Sequence, residues 1–446
     1  MKPIDSLDVF ISGRRIGDLH SLQGGRLSFT YDLAWMNGRI AIPLSLSMPT
    51  ISQTYTGKVV EAFLWGLLPE NEQTLVRWAQ KFQVSPRDPF GLLKNVGRDC
   101  AGAVQFLPPG TSVSRGGATE PLTEEQIGER LRDLRLDGAA TRRLGDSGQF
   151  SLAGAQAKTA FHRDSATGRW SIPLGDTPTT HIFKPPMPHL GGHAENEHFC
   201  LKLARMLGME TANSQILEFA GEKAIVIERY DRRVVDGETI RIHQEDMCQA
   251  LAVMPTLKYE NQGGPGIATI STRVLSSSRN PAGDRQSFME ANIFNWIVGG
   301  TDAHAKNYSM LLGAHGEARL APLYDVSSIL PHLGEGAVQA EMRDLKLAMK
   351  IDKTYPLEEV MPRHWARCAA AAKVGADNTI NAVRRQIAVM PDTASDCAKA
   401  VRDEGIGHEV VGRLVDAIAR RARGLAKVYG AEVAEERAAS APSANK

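Results

Sequence analysis

Gly299-Gly300-Thr301-Asp302-Ala303-His304-Ala305-Lys306-Asn307 is the stretch from which the rest of the chain is read, with Leu323-Tyr324-Asp325 as its companion. A short apolar run, Ile293 to Val298, delivers the chain into it, and a second, Met310-Leu311-Leu312, carries it away. The paired glycines permit an irregular turn. Asp302 and Asn307 stand five apart on a loop, and Asp325 follows 18 residues after Asn307.

Phosphoryl transfer to a hydroxyl needs a carboxylate to accept the hydroxyl proton. It also needs an amide and a second carboxylate to hold a hard cation against the nucleotide phosphates. The D-x-x-x-x-N spacing of Asp302 and Asn307 is that of a protein-kinase catalytic loop. Solvated capping loops show the same spacing, so the stretches upstream carry the decision.

Residues 145 to 161 read Gly-Asp-Ser-Gly-Gln-Phe-Ser-Leu-Ala-Gly-Ala-Gln-Ala-Lys-Thr-Ala-Phe. Small residues at 153 to 157 let main-chain N–H groups approach an anion. Neither a Walker A loop nor G-x-G-x-x-G is present, and an ordinary tight turn has a similar composition. Thr180-His181-Ile182-Phe183-Lys184-Pro185-Pro186 ends a β-branched and aromatic strand in a single lysine. Such a lysine either faces a cleft and holds phosphates or is solvated at a strand end.

Glu195 to Gly208 reads as a helix with an acidic first turn, an apolar face of Phe199, Leu203, Met206 and Leu207, and Gly208 as its stop. Glu195 and Glu197 are both candidate partners for Lys184, and spacing does not choose between them. Ala224-Ile225-Val226-Ile227 is a buried strand that leads into Glu228-Arg229-Tyr230-Asp231-Arg232-Arg233. This polar crossover reads as exposed: a hinge whose backbone groups contact adenine, or a solvated charged turn.

Farther out, residues 1 to about 110 form a β-rich module. Leu7, Val9 and Ile11 alternate before Ser12-Gly13, and Ile16 restarts the pattern, which predicts a hairpin. Leu27, Phe29 and Tyr31 alternate again, as do Ile40, Ile42, Leu44 and Leu46, where Pro43 points to an edge strand. Helices follow through Val59 to Leu68 and around Leu75 to Trp78. Residues 108 to 120 have a linker's composition, and Thr123 with Gln126 makes a capping box for the next helix. From about 240 the chain reads as mostly helical, interrupted by a loop at 258 to 266 that is placed to reach a macromolecular substrate.

The balance of 52 Lys plus Arg against 51 Asp plus Glu leaves a net charge of +1, so no global basic field drives nucleic-acid binding. Five scattered cysteines, an odd number without a C-x-x-C pair, speak against a disulfide framework or a zinc site and predict buried reduced thiols. The N-terminus has no apolar signal core and no run reaches membrane-spanning length, which makes a reducing cytoplasm the expected compartment.

Taken together, Phe150 to Thr159, His181 to Pro185, Glu195 to Cys200, Glu228 to Arg232, His243 to Cys248, Gly300 to Asn307 and Tyr324-Asp325 occur in the order found in the HipA family of bacterial serine/threonine kinase toxins. Phe29 to Asp32, Gly66 to Asn71 and Gly97 to Phe106 resemble that family's first subdomain. The resemblance runs from about residue 5 to 390.

It implies an α+β, two-lobed, protein-kinase-like fold with an extra β-rich N-terminal subdomain (1–110), a linker (111–122) and an ATP-binding core (123–230). A mostly α-helical C-terminal lobe (231–430) and a flexible tail (431–446) complete it. ATP and Mg2+ are the implied cofactors. The phosphate loop is then Ser151, Leu152, Ala153, Gly154, Ala155, Gln156, Ala157 and Lys158, and Lys184 binds phosphates. Glu228, Arg229 and Tyr230 form the adenine hinge. Asp302 is the catalytic base, His304 and Lys306 lie near the nucleotide, and Asn307 with Asp325 binds the metal. Ser151 is the implied autophosphorylation site, whose modification expels the loop.

The implied partners are a HipB-like helix-turn-helix antitoxin, with DNA reached only through it, and an aminoacyl-tRNA synthetase substrate, glutamyl-tRNA synthetase in the best-known case. No membrane is involved. Tyr230 stands where the family commonly has Phe, and Ala157 where Glu is common. The rival readings are a kinase-fold corepressor acting in an antitoxin–DNA complex and a small-molecule kinase. A hydrolase fits poorly, since no G-x-S-x-G elbow occurs.

Overall fold

The computed structural model of the chain describes residues 3–113, 117–141, 150–187, 190–334 and 338–433; Gly145 to Gln149 and the tail from 434 onward lie outside them. The first sheet contains β1 (Pro3–Ile11), β2 (Arg14–Leu22), β3 (Leu27–Tyr31), β4 (Thr54–Thr56) and β5 (Val104–Leu107). Their order is β4-β3-β2-β1-β5, with every pair antiparallel. Ser12 and Gly13 are both left-handed, with φ of 49° and 74°, the two-residue turn whose twist matches the flanking strands. Leu7, Val9, Ile11, Leu19 and Phe29 are fully buried with Phe63, Leu64 and Leu92 from the covering helices Lys58–Gly66 and Pro89–Val96. Trp78, on the helix Glu72–Phe82, belongs to the same core.

The expected edge strand at residues 40 to 46 is absent: the segment is irregular and Ile40 is exposed. Pro43 has no N–H for a ladder. The Leu44 N–H goes to the Tyr31 hydroxyl at 2.7 Å instead. Ser45 and the Leu46 N–H turn to the Glu245 carboxylate at 2.5 and 2.7 Å. Side-chain acceptors replace the missing ladder, and the segment docks the N-terminal module on the C-terminal lobe.

The second sheet holds β6 (Ala118–Pro121), β7 (Thr159–Arg163), β8 (Trp170–Leu174), β9 (His181–Lys184), β10 (Ser214–Phe219) and β11 (Glu222–Glu228) in the order β10-β11-β9-β7-β8-β6. β6 corrects the linker reading. All four of its residues are exposed, and it is held at the sheet edge by main-chain pairing to β8, which needs no apolar pattern. The helix Glu124–Leu136 opens on the predicted capping box, with Gln126 N to Thr123 Oγ1 at 3.3 Å and Thr123 N to Gln126 Oε1 at 2.9 Å. Its Ile127 and Leu131 pack against Phe161, Phe183, Phe219 and Val226. On the helix His193–Met206, Phe199 and Leu203 are buried, whereas Met206 in the last turn is exposed.

The C-terminal lobe is built on the helices Pro281–Val298, Pro362–Ala371, Ala376–Asp403 and Val410–Tyr429. They meet around Trp296, Trp365 and Tyr429, whose rings contact edge-on or tilted at 5.4 to 5.6 Å. The apolar run Ile293 to Val298 is the end of the first of these helices. The region also carries β structure that its composition did not announce. There is a hairpin, Arg232–Val235 with Glu238–Arg241, and a three-stranded sheet, His243–Asp246, Ser309–Leu312 and Ala318–Leu320. Runs of three or four apolar residues are too short to declare a period. All five cysteines are buried free thiols. Among the described residues, no helix is long and apolar enough to cross a membrane.

Candidate active site

A cavity of about 410 Å³ opens between the second sheet and the C-terminal lobe, and its lining includes Leu152 to Gln156, Lys158, Lys184, Glu228 to Tyr230, Asp302, His304, Lys306, Asn307 and Asp325. Residues scattered over 170 positions of sequence thus converge. Of the predicted site residues, Ser151 and Ala157 are not among those facing the cavity. Ser151 is fully buried beneath the loop, with its hydroxyl donating to the Leu67 carbonyl at 2.7 Å.

Lys184 ends β9, where the strand's alternation turns it inward. Its ammonium donates to Glu197 Oε1 at 2.7 Å and also contacts Asp325 Oδ1. The open choice between Glu195 and Glu197 therefore falls to Glu197. Burial works against the Lys184 charge, but Asp325 and Glu197 outweigh it and hold its pKa above the ordinary lysine value. Burial likewise opposes the Asp325 charge, and Lys184 and Lys158 together hold its carboxyl below the usual range. Asp325 has a left-handed backbone, φ 51°, a conformation Asp tolerates better than most residues and one found at functional sites.

The helix Pro281–Val298 stops at Gly299, which is left-handed at φ 70°, and a Cβ there would lie 2.6 Å from Leu330. The chain then turns sharply, and Asp302 emerges exposed at the cavity mouth. The Asn307 amide nitrogen donates to the main-chain carbonyls of Asp302 at 3.0 Å and Asp325 at 3.3 Å. This fixes the amide so that its oxygen is the free end. Lys306 is buried, with its ammonium 2.5 Å from Asp246 and 3.9 Å from Glu70. The His304 ring is buried as well, which lowers its pKa, and its Nδ1 has no hydrogen-bond partner among the described residues.

The loop from Ser151 to Lys158 lies against the N-terminal module. Ser151 N donates to the Asp99 carbonyl at 2.9 Å, and Glu70 N donates to the Gly154 carbonyl at 3.1 Å. Gly154 has φ 106°, and a Cβ there would come within 2.6 Å of Lys158 Nζ. The Lys158 ammonium donates to the Ala153 carbonyl at 2.7 Å and has no carboxylate partner among the described residues. Burial lowers its pKa. An ammonium so placed, beside main-chain N–H groups and a glycine, suits an incoming phosphate.

The crossover Glu228 to Arg233 is not the exposed turn its charge suggested. Arg229, Asp231 and Arg232 are buried. Arg229 grips Asp231 at 2.8 Å, while Arg232 and Arg241 reach Asp99 at 2.8 and 2.9 Å. Asp99 also accepts from Thr179 N and Oγ1 at 2.9 and 2.7 Å. The turn is thereby riveted to the N-terminal module, a role that sequence alone did not signal because the partner lies 130 positions away.

At the polar end of the cavity, Lys158, Lys184, Lys258 and Lys306 face Glu70, Glu197, Asp246, Asp302 and Asp325, one carboxylate more than ammonium groups. Glu70 Oε1 is buried without a hydrogen-bond partner among the described residues. The free Asn307 amide oxygen and the Asp325 carboxylate are hard donors that suit Mg2+, which usually takes one or two protein oxygens together with phosphates. Among the described residues, no group of three or more His, Cys, Asp or Glu stands together as a metal cluster. Glu70, Asp246, Lys258 and Tyr259 were missed as site residues by sequence reasoning. The loop at 258 to 266 was singled out as a whole, without Lys258 or Tyr259 being distinguished in it.

The family described as HipA N-terminal domain matches residues 7–107, and the family described as HipA-like C-terminal domain matches residues 150–398. The chain belongs to the HipA family of serine/threonine kinases. This HipA-family chain is 36% identical over 430 residues to the protein Y4mE of Sinorhizobium fredii, a span of 94% of this chain and 97% of Y4mE. It is 30% identical over 344 residues to the serine/threonine-protein kinase toxin HipA of Shewanella oneidensis, covering 73% of this chain and 75% of that one. The structure of the Shewanella oneidensis HipA with HipB and its operator DNA superposes with a TM-score of 0.80 at 25% identity, covering 96% of this chain and 100% of that one. The HipA fold, α+β with two lobes and an added N-terminal module, is the fold described above.

Proposed function

We propose that this chain is the toxin kinase of a toxin–antitoxin pair, moving the γ-phosphoryl group of ATP to a serine or threonine hydroxyl of a protein. The observation that carries the reading is Lys184, held between Glu197 and Asp325 in the same cavity as Asp302 and Asn307. ATP supplies the phosphoryl group, and Mg2+ neutralises charge on its phosphates. In this reading Lys158, Lys184 and the loop from Ser151 to Gln156 bind the phosphates, and Asn307 and Asp325 hold the metal. The main chain of Glu228 to Tyr230 borders the base. Asp302 takes the acceptor proton as the acceptor oxygen bonds to phosphorus and the bond to the departing ADP oxygen breaks.

The acceptor protein is an aminoacyl-tRNA synthetase, with glutamyl-tRNA synthetase the first to try, and translation stops when it is modified, giving growth arrest and persistence. The partner is a HipB-like helix-turn-helix antitoxin, as in the Shewanella oneidensis complex, which brings operator DNA. Ser151 is the self-limiting phosphorylation site. The full set of ionisable and amide groups that transfer requires favours a kinase over a corepressor scaffold, which has no need of them.

Intact mass before and after incubation with Mg-ATP tests the reading, beside Asp302→Asn and Ser151→Ala. One phosphate on the wild type, absent from both variants, is expected. A wild type that neither binds ATP nor gains phosphate would sink it.

A further inference from the structure

Asp302 is exposed, and an exposed carboxylate on a loop rotates among several rotamers. Its side chain is nonetheless held. The Tyr259 hydroxyl donates to Asp302 Oδ1 at 2.6 Å. Tyr259 is itself mounted from three directions. Its ring meets the His304 ring edge-on at 5.1 Å, and the Lys258 ammonium stands 5.4 Å from its centroid. Lys258 in turn donates to Glu70 Oε2 of the N-terminal module at 2.7 Å. On the following residue, Glu260 accepts the Lys350 N–H at 2.8 Å and pins the loop to the C-terminal lobe.

We infer that Tyr259 is the positioning residue of the catalytic base. By occupying one oxygen of Asp302 it leaves the other for the acceptor hydroxyl and holds that oxygen toward the cavity; this rests on the reading of Asp302 as base. Glu70 and Lys258 are its mount, so a module with no chemistry of its own reaches the reacting atoms through one ion pair and one phenol. A base acts only within hydrogen-bond reach of the proton it takes, and the orientation of its carboxylate governs how often it is there.

The test is steady-state transfer from Mg-ATP to myelin basic protein by the full-length chain, comparing wild type, Tyr259→Phe and Asp302→Asn. Tyr259→Phe keeps the ring and its contacts with His304 and Lys258 and removes only the hydroxyl. The expected result is a kcat lowered about ten- to a hundredfold, a fraction of what general-base catalysis contributes. The KM for ATP, the KM for the acceptor and the melting temperature are expected to stay unchanged.

A Tyr259→Phe enzyme with wild-type kcat overturns the proposal. A lowered acceptor KM with kcat unchanged or raised also overturns it, since the phenol would then be competing for the acceptor's place. If Asp302→Asn transfers phosphate at the wild-type rate, or the wild type neither binds ATP nor gains phosphate, the reading of the site fails, and this inference fails with it. An inactive Asp302→Asn beside a fully active Tyr259→Phe overturns the inference alone.

Discussion

The Ser151 hydroxyl and the Leu67 carbonyl are 2.7 Å apart across 84 positions of sequence, and Ser151 has no exposed surface. A phosphate, with about −1.5 to −2 charges at neutral pH, cannot occupy that position while the hydrogen bond stands. Phosphorylated chain is expected to release residues 150 to 158 from Leu67, Glu70 and Asp99. Hydrogen exchange of peptides covering 150–158 and 66–70 should quicken in phosphorylated protein and stay slow in Ser151→Ala. The alanine variant should lose about 1–3 kcal/mol of stability, because it leaves the buried Leu67 carbonyl without this donor. Equal exchange in both forms would contradict the release.

Lys184 is a second point of strain in the balance of charges. Glu197 is 2% exposed, so Lys184→Met leaves its carboxylate buried without a partner. Breaking such a pair costs about 3–5 kcal/mol. Adding Glu197→Gln should restore most of the stability in urea unfolding while leaving phosphoryl transfer absent. Failure of the double variant to recover would mean that Lys184 stabilises the fold chiefly through Asp325.

Glu245 makes stability depend on pH. Burial pushes its carboxyl up to about 8, against the opposing pull of the Ser45 and Leu46 hydrogen bonds. In the unfolded chain it titrates near the ordinary glutamate value of about 4.3. Between those values the folded chain holds more protons than the unfolded one, so this group's contribution falls as pH rises through the window and is flat beyond it. Glu245→Gln has no proton to lose. Relative to wild type it should gain stability from about pH 5 to 8, at no more than about 1.4 kcal/mol per pH unit. Parallel stability curves for the two proteins would show that the carboxyl is not raised.

Asp99 joins both ends of the candidate nucleotide site. Its main-chain carbonyl accepts Ser151 N, and its carboxylate accepts Arg232 and Arg241 beside the hinge. Asp99→Asn leaves the buried Arg229 and Arg232 and the half-buried Arg241 short of an anion, at a cost of about 3–5 kcal/mol. It should also weaken ATP binding by at least about tenfold (1.4 kcal/mol). Titration with nucleotide, beside thermal unfolding, separates the two effects. Unaltered ATP affinity in a destabilised variant would uncouple the cluster from the site.

Elements with a strong period or a cap were legible in the sequence. The hairpin at Ser12-Gly13 and the capping box at Thr123 both follow from local rules. The convergence of Lys184, Asp302, Asn307 and Asp325 on one cavity was legible only through the order of seven motifs, because no spacing encodes it. What escaped was governed by distant partners. Leu44 to Leu46 turned from a strand to a docking segment because the Tyr31 hydroxyl and the Glu245 carboxyl group accept their hydrogen bonds. Arg229 and Arg232 went inside because Asp99 meets them. Tyr259 gave no signal of its own, since a tyrosine in a glycine-rich loop is ordinary until its hydroxyl is seen on Asp302.

The seating of the loop at 151–158 on Leu67, Glu70 and Asp99 also sets the order in which a newly made chain becomes competent. The N-terminal module precedes the loop in the chain and carries a buried core of its own. The loop emerges next and finds its seat ready, but Lys184 waits for Asp325, and Lys258 and Lys306 wait to meet Glu70. A chain cut at either place therefore leaves the cavity incomplete. One lacking the first 110 residues has a loop with nothing to rest on, and one stopping before Asp325 has an ammonium with half its partners.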